Sequence, residues 1–95
     1  MKTLKKVPYT PVFVEEMSDG IVEGEVYISK KYQTSRHLCL CGCESLVIMP
    51  LDNGKKWWRL VEEENDTVSF IGSVGNYSFE CKSHYIMTKN VANFI

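Results

Sequence analysis

His37-Leu38-Cys39-Leu40-Cys41-Gly42-Cys43 and Cys81-Lys82-Ser83-His84 together hold every cysteine and both histidines of this 95-residue chain. Thiolate and neutral imidazole are the side chains zinc prefers, and a small domain gains much from a metal that ties distant segments together. Cys81 and His84 are three residues apart and can converge from one turn. Cys39, Cys41 and Cys43 alternate, so an extended segment would aim them to one side, and a curl at Gly42 would wrap them around an ion. The expected centre is a single Zn2+ with ligands drawn from Cys39, Cys41, Cys43, Cys81 and His84. A set of three cysteines and one histidine, using two of the three clustered thiols, is favoured over an all-cysteine set that leaves His84 outside. The spacing does not identify an excluded thiol. His37 reads as a residue packed beside the centre. Buried free cysteines acting as small hydrophobes are the competing explanation; four thiols in two tight groups argue against it.

Hydrophobic residues make up 44% of the chain and aromatic residues 12%, enough to bury a core and too many for a disordered tail. The length implies one domain over residues 1–95, with residues 1–20 as an extended N-terminal arm. A core this small is thin, and a structural zinc can add ~10 kcal/mol or more of binding free energy coupled to folding. Eleven basic and twelve acidic residues leave a net charge of −1. That balance argues against nucleic acid as a partner, despite Lys2, Lys5 and Lys6. No apolar stretch reaches the ~18 residues of a membrane span. No apolar segment follows the N-terminal charges as in a secretory signal. The crowded thiols suit a metal in a reducing cytoplasm better than disulfides. Nothing in the pattern speaks to oligomeric state.

Strand-type patterning dominates. Val7 to Val14, punctuated by Pro8 and Pro11, reads as an edge strand or extended arm. Gly24 to Ser29 follows as a strand, and Lys30 to Arg36 as a loop or helical turn. Ser45 to Leu51 is an apolar run stopped by the turn signal Asp52-Asn53-Gly54. Lys56 to Glu63 carries Trp57 and Trp58, Glu62 to Asp66 is a charged turn, and Thr67 to Val74 alternates in part. His84 to Ile95 reads as a hairpin pivoting at Lys89-Asn90, where Asn tolerates positive φ. The expected fold is mostly β: a small single-domain antiparallel sheet or partly open barrel stabilised by one zinc site.

Surplus ligands allow reactive chemistry. A thiol left out of the centre would be nucleophilic, and a zinc with three protein ligands would carry a water for hydrolysis with Glu44 as base. Thiolates donate charge and quench the Lewis acidity of the metal, so a thiolate-rich site leans structural, with Glu44 a surface carboxylate. Trp57 and Trp58 read as packing residues and Gly72 to Asn76 as a β-turn. No Ser-His-Asp set emerges, because both histidines accompany the cysteines.

The motifs resemble a bacterial and phage family, the domain of unknown function numbered 6527. Its members carry H-L-C-P-C-G-C-G, W-x-L, P-S-I-G-N and C-x-S-H-Y-x-I. The counterparts here are His37 to Glu44, Trp58-Arg59-Leu60, Gly72 to Asn76 and Cys81 to Ile86, with the likeness spanning about Val26 to Phe94. Leu40, Glu44, Gly72 and Phe94 depart from the pattern; none removes a candidate ligand, and the Glu44 change weakens a catalytic role there. The resemblance implies a metal-binding β domain, some of whose relatives are encoded beside ubiquitin-like conjugation enzymes. The favoured function is thus a zinc-binding auxiliary module that contacts a protein partner in a ubiquitin-like or phage-host system. A zinc-dependent hydrolase or thiol-transfer enzyme acting on peptide or isopeptide bonds is the alternative.

Overall fold

The computed structural model describes residues 5–16, 20–52, 57–75 and 81–95. Lys2, Asp19, Asn53-Gly54, Lys56 and Asn76, which entered the sequence reading, lie outside the described residues. The strands are β1 (Lys6–Pro8), β2 (Thr10–Phe13), β3 (Glu25–Ser29), β4 (Thr34–Leu38), β5 (Leu46–Pro50), β6 (Arg59–Glu62), β7 (Val68–Ile71), β8 (Ser73–Gly75), β9 (His84–Thr88) and β10 (Val91–Phe94). A 3-10 turn at Glu64–Asp66 joins β6 to β7. One sheet has the order β1-β10-β9-β8, a second β2-β3-β4-β5, and β6 pairs with β7. The chain is mostly β, as its patterning predicts, and no helix among the described residues is long and apolar enough to cross a membrane.

All three proline-bearing strands, β1, β2 and β5, lie at sheet edges, where a missing N–H breaks no ladder. Between β1 and β2 Tyr9 crosses from one sheet to the other. Its amide donates to the Asn90 carbonyl at 2.8 Å, and its buried hydroxyl donates to the Val68 carbonyl at 2.7 Å. Because β1 pairs with β10 and β2 with β3, the arm is woven into both four-stranded sheets, and Tyr9 adds a tie to β7. β2 runs parallel to β3, the one parallel strand pair in an otherwise antiparallel set among the described residues.

Two segments differ from the sequence reading. After a turn that ends at Gln33 (φ 50°), Thr34 to Leu38 is a full strand rather than a loop. Its polar residues disguised it, because the inward positions are Ser35 and His37, both fully buried. Ser35 donates to the Met49 carbonyl, and His37 hydrogen-bonds Tyr85. Gly72 to Gly75 is not a simple turn either. Gly72 (φ +117°) makes a kink that only glycine adopts easily, and Ser73–Gly75 then pairs with β9.

The β9–β10 hairpin forms where Asn90 predicted it. Lys89 (φ 48°) and Asn90 (φ 65°) both take left-handed geometry, the combination a two-residue hairpin favours. The tip is tied to β7: the Val68 amide donates to Asn90 Oδ1 and the Lys89 amide to Ser69 Oγ, each at 2.8 Å.

One apolar cluster spans the sheets, with Val26, Ile28 and Met49 from one side, Val74, Tyr85 and Met87 from the other, and Phe70 between them. Phe70 is 1% exposed, whereas its neighbour Ile71 is 55% exposed. Phe70→Ala is expected to cost about 3–5 kcal/mol in urea unfolding. Ile71→Ala should stay within about 0.5 kcal/mol. Equal losses would mean the cluster is not the core.

Candidate functional site

The first thiol cluster forms as β4 turns into β5. The Cys39 amide donates to the Ser45 carbonyl at 2.7 Å, and the Gly42 amide to the Cys39 carbonyl at 3.1 Å. Gly42 (φ +96°) and Glu44 (φ 63°) supply the left-handed bends that fold the loop back on itself. Cys81 arrives from the other side, just before Lys82 (φ 46°) and the start of β9.

Cys39, Cys41, Cys43 and Cys81 meet there, with all four sulfurs within 4.8 Å of one another. Sγ–Sγ distances are 3.4 Å for Cys39–Cys41, 3.8 Å for Cys39–Cys81 and 3.5 Å for Cys43–Cys81. A tetrahedron with metal–sulfur bonds of ~2.3 Å has edges of about 3.8 Å. The four cysteines can therefore hold one metal ion. Hydrogen bonds from Ser45 bring the Cys43 pKa down to about 6, and hydrogen bonding to Ser83 lowers that of Cys81. Desolvation pushes Cys41 up to about 12. A bound cation would favour the thiolate form of all four together.

His84 is not in this group. Ser83 and Tyr85 face inward and are buried, so strand alternation turns His84 to the opposite face. Ser83 takes the inward place: its Oγ lies 3.1 Å from Cys39 Sγ and 3.4 Å from Cys81 Sγ. His37 packs behind the cluster, fully buried, with Nε2 2.8 Å from the Tyr85 hydroxyl. Burial pushes it down to about 4, so the ring is neutral near pH 7. Glu44 sits exposed on the turn.

A second constellation lies across β8 and β9. Their register is Ser73↔Ile86, Val74↔Tyr85 and Gly75↔His84. Val74 and Tyr85 point into the core, which leaves Ser73, His84 and Ile86 on the outer face. Ser73 and His84 are diagonal neighbours, a relation that places α-carbons roughly 7–8 Å apart. Ser29, Ser35, Ser45, Ser69 and Ser83 spend their hydroxyls on internal hydrogen bonds. Ser73 is exposed, and its hydroxyl has no partner among the described residues. Its backbone is held firmly: Trp58 Nε1–H donates to the Ser73 carbonyl at 3.1 Å. The same indole covers Gly72, where a Cβ would come within 3.1 Å of it.

Sequence reasoning missed this pair because it took Gly72 to Asn76 for a turn and attached both histidines to the cysteines. The available signal was alternation, with Val74 as the apolar member of Ser73-Val74-Gly75. Trp57, expected to pack, is 44% exposed.

Fold and site define a small β domain with a four-cysteine group able to hold a metal. Residues 13–95 match the family described as BubE, bacterial ubiquitination-like system serine protease, and the chain belongs to that family. The match agrees with the ubiquitin-like setting that the motifs implied. No curated protein and no solved structure matches the chain.

The sulfur geometry predicts that protein purified without chelator carries a single equivalent of metal by elemental analysis. Cys81→Ser should lose nearly all of it and melt at a lower temperature, whereas His84→Ala should keep it. Loss of metal from His84→Ala would put the imidazole back in the ligand set.

Proposed function

We propose that this protein is a zinc-stabilised serine protease of a bacterial ubiquitination-like system. It would cut a peptide or isopeptide bond beside a ubiquitin-like protein, with Ser73 as nucleophile and His84 as its base. The observation that carries the reading is the β8–β9 register, which sets an exposed serine and a histidine on one outer face. The family description names a serine protease. The motifs shared with the family numbered 6527 add support, because P-S-I-G-N and C-x-S-H-Y fall on the two segments carrying Ser73 and His84. This reading takes up the hydrolase alternative rather than the non-catalytic module, and it moves the chemistry from the metal to the serine.

In the reaction, Ser73 Oγ attacks the scissile carbonyl while His84 accepts the hydroxyl proton. His84 returns that proton to the departing amine as the C–N bond breaks, leaving an acyl ester on Ser73. Water, deprotonated by His84, then attacks the ester; the acid is released and the proton passes back to Ser73. Trp58 and Gly72 fix the backbone from which Ser73 projects, and a rotamer change can bring diagonal side chains within reach.

Zn2+ would be held by Cys39, Cys41, Cys43 and Cys81. Four thiolates saturate a tetrahedral zinc and offset its charge, so it would supply rigidity. Cys81 lies three residues before His84 and Ser83 touches two of the sulfurs, so the metal would anchor the start of β9 and the angle at which His84 leaves it. The partner in this reading is a protein substrate in the cytoplasm, with no role for nucleic acid or membrane.

Ser73→Ala and His84→Ala should each lower the rate of cleavage of a ubiquitin-like protein carrying a C-terminal extension by roughly 10³-fold or more. Both should retain metal and fold. Mass spectrometry should find a fluorophosphonate adduct on Ser73. A Ser73→Ala protein as active as the parent would sink the assignment.

A further inference from the structure

Beside Ser73 lies a groove of about 250 Å³ lined by Trp57, Trp58, Ile71, Gly72 and Ser73 itself. Its described walls are two indoles and an aliphatic side chain, with no ionisable group among the described lining residues. Trp57 and Ile71, two lining residues adjacent in this groove, remain 44% and 55% exposed. Large apolar side chains left wet around a concavity mark a surface meant to be covered.

The groove is also braced. The Trp57 amide donates to Asp52 Oδ2 at 3.0 Å and the Asp52 amide to the Trp58 carbonyl at 2.8 Å, which pins the backbone carrying both indoles. Gly72 forms the floor between the indoles and the serine. A Cβ there would meet Trp58 at 3.1 Å and narrow the passage from groove to hydroxyl. By contrast, the groove at the β6–β7 end is lined by Glu62, Glu63, Glu64 and Lys89 and would suit charged groups.

We infer that the Trp57–Trp58–Ile71 groove is the specificity subsite of this protease, receiving one apolar side chain of the substrate next to the scissile bond. The inference rests on the Ser73 assignment. A leucine-, methionine- or phenylalanine-sized residue would fill the groove. Glycine would leave it open to water, and a carboxylate or ammonium would be desolvated there without a partner.

The test uses the full chain and a set of fluorogenic peptide amides varied one position at a time, alongside fluorophosphonate labelling. One position flanking the cleaved bond should prefer Leu or Phe over Ser or Glu by about 10–200-fold in kcat/KM. Trp57→Ala should collapse that ratio toward unity, chiefly through KM, with metal content and circular dichroism unchanged. Ile71→Glu should turn the preference toward Lys and Arg, a gain that general damage does not produce. If Ser73 takes the fluorophosphonate but Trp57→Ala keeps the parent preference, or no apolar peptide is cleaved, the groove is not the subsite. If Ser73 takes no label and Ser73→Ala cleaves like the parent, the nucleophile is wrong and the inference falls with it.

Discussion

Four sulfur atoms meeting from two places in the chain are the constraint on which this structure turns. Cys39 and Cys81 are 42 residues apart, yet their sulfurs approach to 3.8 Å. One lies in the turn that ends β4, the other just before β9, so the contact joins the two four-stranded sheets. A metal held there would close a long loop, and closure entropy grows only slowly with loop length. His37 of β4 also reaches the Tyr85 hydroxyl of β9 across the sheets at 2.8 Å, and Tyr9, between β1 and β2, ties in Asn90 through its amide and Val68 of β7 through its hydroxyl. The thin core is thus fastened by sulfur in one region and by a buried phenol in another.

The same constraint explains which parts of the fold were legible. The cysteine group stood out because cysteine is rare and all four fall in two short stretches. The β9–β10 hairpin stood out because Lys89-Asn90 interrupts an alternating run with a residue suited to positive φ. β4 was hidden because its inward residues, Ser35 and His37, are polar and find partners on other strands, in Met49 and Tyr85. No local pattern announces a hydrogen bond to a residue 48 positions away. β8 was hidden because Ser73 and Val74, set between two glycines, look like a turn until a partner strand is supplied.

The clustering of the four cysteines without His84 has a related reason. Spacing alone makes Cys81 and His84 a convincing pair, since residues three apart on a turn can converge on an ion. Once β9 begins at His84, alternation takes over: Ser83 faces the sulfurs and His84 faces away. One strand boundary therefore separates a mixed thiolate–imidazole reading from an all-sulfur group. It also determines whether the imidazole belongs to a metal or to the outer face where Ser73 stands.

That boundary argues for a division of labour between metal and serine. A catalytic zinc needs an open coordination position, and four sulfurs within 4.8 Å of one another leave none in a tetrahedron. A nucleophilic serine needs an exposed hydroxyl on a rigid backbone, and Ser73 has both, through Trp58 and the Gly72 kink. In the proposed assignment Ser73 comes from β8, a three-residue strand at the sheet edge with little ladder of its own to hold it, and His84 from β9 beside it. The geometry between Ser73 and His84 must then be maintained from outside the pair. The indole does this on the β8 side, and the sulfur group does it at the entry to β9. In so small a domain, the contacts that secure the fold would also be those that aim Ser73 and His84 in the proposed reaction.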